Sequence, residues 1–340
     1  MIPVEDSVAT VTKVDGPDGK GGNMGDGSGS LTDIILTLDK PIPEEVKVNQ
    51  HVVENITYTP EVSIHDNIFK ETPTRGILVT TRKPIVIENN TFDGMGMAGI
   101  YISNDAQGWY ESGPTRDVTI RNNTFTRGKA QAIYVDPTNP NVSTTQTVHE
   151  NMTIEGNTFY LENQSVLDAK SVKDLTFKTN KIYRQDPSVT LTASAENTQL
   201  AVGESEKISV ETNGTKQDKN LYKFNGCKNV VLENNSYDGG MNLKAEIQNM
   251  DASEIKLKGD HIAINGGGNM TETAGDIYYV SSDENILKVS DTGIVTAVGE
   301  GTASIRTFAV SGGRKYEGNT IEFTVSGSVE GVLPTGLEID

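Results

Sequence analysis

The chain has 340 residues and a net charge of −18, from 29 Lys and Arg against 47 Asp and Glu, with a single cysteine and four histidines. The acidic excess excludes a nucleic-acid binder, which needs a basic footprint; the lone Cys227 excludes a disulfide framework, and the scattered histidines lack zinc-ligand spacing. Gly (34) and Asn (28) are abundant while Val, Ile and Thr dominate the apolar stretches, a balance that predicts an all-β chain with many tight turns.

In chain order, residues 1–58 hold short strand-like stretches, among them Leu31–Leu38. Met1–Ser7 has neither a basic nor an apolar leader region, and no apolar run approaches the ~20 residues of a membrane span. We therefore expect a piece of a longer exported polypeptide.

From residue 59 to 186 one block recurs. It reads Val62 to Phe69, Val86 to Phe92, Val118 to Phe125 and Met152 to Phe159, with weaker copies at Leu175–Ile182 and Val230–Tyr237. Each carries apolar residues two apart, then Asn, then an aromatic or aliphatic residue two further on. The aligned Asn residues (67, 90, 123, 157, 180, 235) lie 23, 33, 34, 23 and 55 apart. Such self-similarity predicts a right-handed parallel β-helix, in which stacked coils bury continuous files of side chains and Asn ladders form at one corner. Spacings of 23 fit a bare coil; 33 and 34 fit a coil with a loop. A β-sandwich of similar strands is the rival, but gives no reason for Asn at the same corner each time.

Residues 187–214 read as a hairpin around Gly203, residues 215–266 as the last coils, and 328–340 as a flexible tail. Within 270–327, the run Gly293 to Ile305 resembles the second half of a bacterial immunoglobulin-like group 2 domain. The fold class expected is thus an all-β, right-handed parallel β-helix with an appended immunoglobulin-like β-sandwich, its opening strands supplied by 187–214 or absent.

The most unusual segment is Gly96–Gly113, with the only tryptophan, Trp109, beside Tyr101, Tyr110, Asp105 and Glu111. An aromatic ring with neighbouring carboxylates suits a sugar site, because the ring packs on the apolar face of a pyranose while the carboxylates bond hydroxyls or move protons. The plainer reading is that Trp109 caps the core and the acids solvate a turn. Here Arg75–Thr81, Ile87–Phe92, Gly99–Asp105, Gly108–Gly113 and Asp117–Phe125 together resemble glycoside hydrolase family 110, from about Leu31 to Gly266. The resemblance implies a β-helical, inverting exo-α-galactosidase that removes terminal α-1,3-linked galactose without a cofactor. It implies Asp105 and Glu111 as catalytic carboxylates, and Arg75, Trp109, Tyr110, Asp93 and Asp136 as substrate-binding residues. The implied partner is a galactose-terminated glycan, and the implied location extracellular or on a bacterial cell surface. Because family members are longer, an upstream part of the same polypeptide is expected to complete the groove. A non-catalytic surface β-helix that binds glycans or spaces an adhesin is the alternative from another class. A polysaccharide lyase fits less well, since no calcium-binding or Lys/Arg-rich catalytic face is seen.

Overall fold

The computed structural model describes residues 8–15, 35–48, 51–105, 113–184, 219–237, 241, 243–250, 254–258, 263–264, 268–269 and 276–327. Two compact units emerge, Ile2–Asn55 and essentially the remainder of the chain. In the smaller one, Val11–Asp15 pairs antiparallel with Ile35–Leu38. No described helix is long and apolar enough to cross a membrane.

The larger unit is a parallel β-helix with three sheets. The first holds Val62–His65, Ile85–Glu88, Val118–Arg121, His149–Glu155, Val172–Lys178, Lys228–Glu233 and Glu254–Lys258. The second holds Ile68–Lys70, Thr91–Asp93, Thr124–Thr126, Thr158–Leu161, Lys181–Arg184 and Ser236–Tyr237. The third holds Ile77–Val79, Ile100–Ile102, Ile133–Val135, Leu167–Lys170, Tyr222–Asn225 and Leu243–Gln248. Six coils each contribute one strand to every sheet, in register with the coils on either side, and Glu254–Lys258 adds a seventh strand to the first sheet.

Alternation along each strand sends every second side chain inward. On the first sheet Ile87, Ile120, Ile154, Phe177, Leu232 and Leu257 form one buried file. On the second, Phe69, Phe92, Phe125 and Phe159 stack at centroid separations of 5.0, 4.8 and 4.8 Å. On the third, Ile102, Val135, Ala169, Phe224 and Ile247 repeat the pattern. Each buried aliphatic or aromatic side chain contributes about 1.5–3 kcal/mol.

The Asn corner is a continuous amide ladder. Asn90 donates from Nδ2 to Asn123 Oδ1 (3.1 Å) and to the carbonyl of Ile64 (2.9 Å), while its backbone N–H also reaches Asn123 Oδ1 (2.9 Å). Asn123, Asn157 and Asn180 repeat all three bonds, two to the Asn of the next coil and one back to a carbonyl of the preceding coil. The residue just before each ladder Asn has left-handed backbone: Asp66, Asn89, Asn122, Gly156, Thr179 and Asn234 all have φ between +51° and +65°. The two residues of an Asn–Asn pair thus do different work, the first tolerating positive φ and the second bonding between coils.

Beyond the last coils, the first and third sheets continue without a break. Ile294–Ala297 pairs antiparallel with Glu254–Lys258, and Arg314–Ser326 pairs parallel with Leu243–Gln248. Gly301–Ser311 and Asp276–Ser281 extend the third sheet, and Leu287–Val289 the first. Residues 187–214, read above as possible opening strands of a sandwich, lie outside the described residues, as does the tail at 328–340.

Candidate functional site

The outward positions of the third sheet form a row that crosses six coils: Leu78, Tyr101, Tyr134, Asp168, Lys223 and Glu246. They face out because Ile100/Ile102, Ile133/Val135 and Leu167/Ala169 on the same strands are buried. Tyr101 and Tyr134 stack at 5.2 Å and 16°. Arg75, on the turn that enters the first strand of this sheet, lies over Tyr101 with its guanidinium carbon 5.8 Å from the ring centroid, within cation–π range.

Asp136 follows Ile133–Val135 at the corner of this face. Its carboxylate accepts the Tyr134 hydroxyl (2.9 Å) and Lys170 Nζ (3.2 Å), and its carbonyl accepts the hydroxyls of Ser103 (3.3 Å) and Tyr101 (3.4 Å). Burial, followed by the hydrogen bond to Asp136, holds the Tyr134 phenol proton well above the usual tyrosine range. Two residues short of the next corner, Asp168 accepts Gln131 Nε2 at 3.2 Å. Burial pushes its carboxyl up, the Gln131 bond and Lys223 pull it down, and Asp136 and Glu246 push it up again. A carboxyl raised by burial beside a second acid is the usual environment of a group that holds or moves a proton.

One coil earlier, Ser103 stands level with Asp136, and Asp105 lies two residues further along. The segment leading to it is pinned to the coil beyond, since the buried Asn104 accepts both the N–H (3.2 Å) and the hydroxyl (3.0 Å) of Thr138 at its carbonyl. The chain resumes at Gly113, where φ is +92° and a Cβ would stand 2.7 Å from the Thr80 carbonyl. Asp105 and Gly113 thus lie on the corner that follows the third sheet, on either side of residues 106–112. Glu111, Trp109 and Tyr110 lie outside the described residues.

Of the residues singled out from sequence, the structure brings Arg75 and Asp136 to one face and Asp105 to its edge. Asp93 stands elsewhere. It projects from the second sheet, where Arg127 grips its carboxylate at 2.5 and 2.7 Å. Hydrogen bonding to that guanidinium holds the Asp93 carboxyl below the usual carboxylate range. This is an ion pair that ties neighbouring coils rather than a group turned toward the third sheet. Sequence reasoning passed over Tyr134, Gln131, Asp168 and Lys170. A signal existed in Gly99-Ile-Tyr-Ile102, Ala132-Ile-Tyr-Val135 and Val166-Leu-Asp-Ala169, which set their middle polar residue in one column once aligned. Among the described residues no cluster of His, Cys, Asp and Glu could hold a metal ion.

A family model described as "Right handed beta helix region" matches residues 49–152. Alpha-1,3-galactosidase A of Peterkaempfera griseoplana is 39% identical over 329 residues, covering 96% of this chain and 45% of the relative. Alpha-1,3-galactosidase A of Streptomyces avermitilis is 40% identical over 71% of this chain and 34% of its own length. The protein of the same name from Bacteroides thetaiotaomicron is 47% identical over 44% of this chain and 27% of its own length. The chain spans less than half the length of these relatives, and the first match runs on through the C-terminal strands. The chain is therefore a right-handed parallel β-helix whose close homologues are the alpha-1,3-galactosidases of glycoside hydrolase family 110, with a part of which it aligns over nearly its whole length.

Proposed function

We propose that the chain is part of an exported exo-α-galactosidase that hydrolyses terminal α-1,3-linked galactose with inversion, and that the corner after the third sheet is where galactose lies. The observation that carries this reading is the convergence of Asp105, the anchor at Gly113, Asp136 and the Arg75–Tyr101–Tyr134 row on one flank. The names of the relatives supply the substrate class.

Inversion needs one carboxylic acid to protonate the departing oxygen and one carboxylate to activate water, ~6.5–9.5 Å apart. Asp105 and Glu111 are the proposed pair. Trp109 and Tyr110 offer ring faces to the pyranose, while Arg75 and Asp136 bond its hydroxyls. Asp93, committed to Arg127, is left out of the site.

Hydrolysis of an α-1,3-galactosyl disaccharide and of p-nitrophenyl α-galactoside by the whole polypeptide tests the reading. Asp105→Asn and Glu111→Gln are each expected to lower kcat by at least about 100-fold, the scale of lost acid or base assistance. Activity that survives both substitutions removes the assignment. Saturable galactose binding without hydrolysis points instead to a non-catalytic glycan-binding β-helix.

A further inference from the structure

A shallow, open recess lies where the second sheet turns toward the third. Its floor is Phe92 and Phe125; Met97 and Tyr160, 45% and 39% exposed, stand at its mouth with the amides of Gln131 and Gln164. Thr126 also lines it.

The outward row of the second sheet explains the opening. It runs Lys70, Asp93, Thr126, Tyr160 and Tyr183. Tyr160 and Tyr183 stack at 5.4 Å and 20°, so one face of Tyr160 is covered. On its other side the preceding coil presents Thr126, and the aromatic column stops. The gap is one side chain deep, and the column beside it continues into Asp93, which Arg127 pairs together with Glu71.

We propose that this gap is an accessory sugar site, holding one uncharged hexopyranose of a glycan flat against the open face of Tyr160, above Thr126. The proposal rests on the reading of the chain as acting on galactosides. An aromatic face for the C–H surface of the ring, with amide and hydroxyl groups at its rim, is the usual makeup of a carbohydrate pocket. The polar lining is neutral, which favours a neutral hexose over a uronic or sialic acid. Gln131 joins this recess to the third-sheet face, since its Nε2 donates to Asp168 there. A glycan bound here is thus held beside the face assigned to the terminal galactose.

Titration of α-1,3-galactobiose into the 340-residue chain, carrying Asp105→Asn so that the probe is not consumed, tests the inference by saturation-transfer NMR. Tyr160→Ala is expected to weaken binding about five- to tenfold, as removal of one stacking ring does. Tyr160→Phe keeps the affinity, and Thr126→Trp, which fills the gap, weakens binding as Tyr160→Ala does. Both altered side chains face outward, so folding is preserved. Unchanged binding in Tyr160→Ala and Thr126→Trp overturns the recess, as does absence of saturable binding to the parent chain. Binding lost with Asp136→Ala but not with Tyr160→Ala overturns the recess and leaves the galactosidase reading standing. Tyr160-dependent binding in a polypeptide without hydrolysis supports the recess and removes the enzyme reading instead.

Discussion

One amide, that of Asn157, closes four hydrogen bonds: Oδ1 accepts from Asn123 N and Nδ2, and Nδ2 donates to Ile120 O and Asn180 Oδ1. That saturates both lone pairs and both protons, which is why so polar a residue is wholly buried at no net penalty. At each corner the left-handed backbone falls on the residue before the ladder Asn, which for Asn180 is Thr179. Thr179 is the β-branched member of the left-handed set, at φ +51°, with an exposed side chain whose hydroxyl bonds only the Lys178 carbonyl. A β-branched residue is disfavoured there by roughly 1 kcal/mol relative to Asn. Thr179→Asn, which recreates the Asn–Asn pair of the other corners, is therefore expected to stabilise the fold by about 1 kcal/mol. A rise in the denaturant midpoint with unchanged slope checks this.

Between elements, the contact with the clearest pH signature joins the turn at Thr115 to the strand His149–Glu155. The N–H of Thr115 donates to His149 Nδ1 at 3.1 Å, and the Thr115 hydroxyl lies 2.9 Å from the same nitrogen. Nδ1 must accept, so the neutral ring carries its proton on the buried Nε2, and a second proton would break the Thr115 bond. Burial, with Arg116 adding repulsion, lowers the His149 pKa from 6.5 to about 3. Because the folded value lies below the unfolded one, this contribution is complete above pH 6.5 and is lost as pH falls toward 3, at up to ~1.4 kcal/mol per unit. Wild type is expected to lose about 1.6 kcal/mol more than His149→Asn between pH 6.5 and 5, the integral of that slope as the unfolded imidazole titrates. Equal pH slopes in urea titrations of the two proteins would discard the argument. The same scale shows what was legible beforehand. Inward residues and the corner Asn repeat because stacking forces identity from coil to coil, so the spacing of Asn67 to Asn235 predicted coils. Outward residues are under no such rule. Tyr101 and Tyr134 match, but Asp168 and Lys223 continue the same column with different chemistry, so the column stands out far less in the sequence than the inward files do. The ion pair of Asp93 was hidden for the same reason: its partner, Arg127, lies 34 residues away, one coil on.

At the scale of the molecule, a β-helix has two open ends, each a set of strands with unpaired N–H and C=O groups that invite other chains. After the last coils the two long sheets are closed by strands from 276–327, one set antiparallel and one parallel. The fit depends on backbone approach. At Gly293 φ is +78°, and a Cβ would lie 2.3 Å from the Leu257 carbonyl, which accepts nothing larger than hydrogen at that point. Phe323 and Val325 continue the inward file of Ala245 and Ile247, so core and edge are covered together. We propose that this C-terminal segment acts as a cap, whether or not residues 187–214 complete it as an immunoglobulin-like sandwich. Removal of residues 270–340 would then bare both Leu243–Gln248 and Glu254–Lys258, along with the apolar side chains beneath them. The truncated chain is expected to elute as oligomers under conditions where the parent is monomeric, with the coils from Val62 to Asn180 still protected from hydrogen exchange. A truncated chain that stays monomeric at micromolar concentration would mean that the last coil protects its own edge, and that the C-terminal strands serve another purpose.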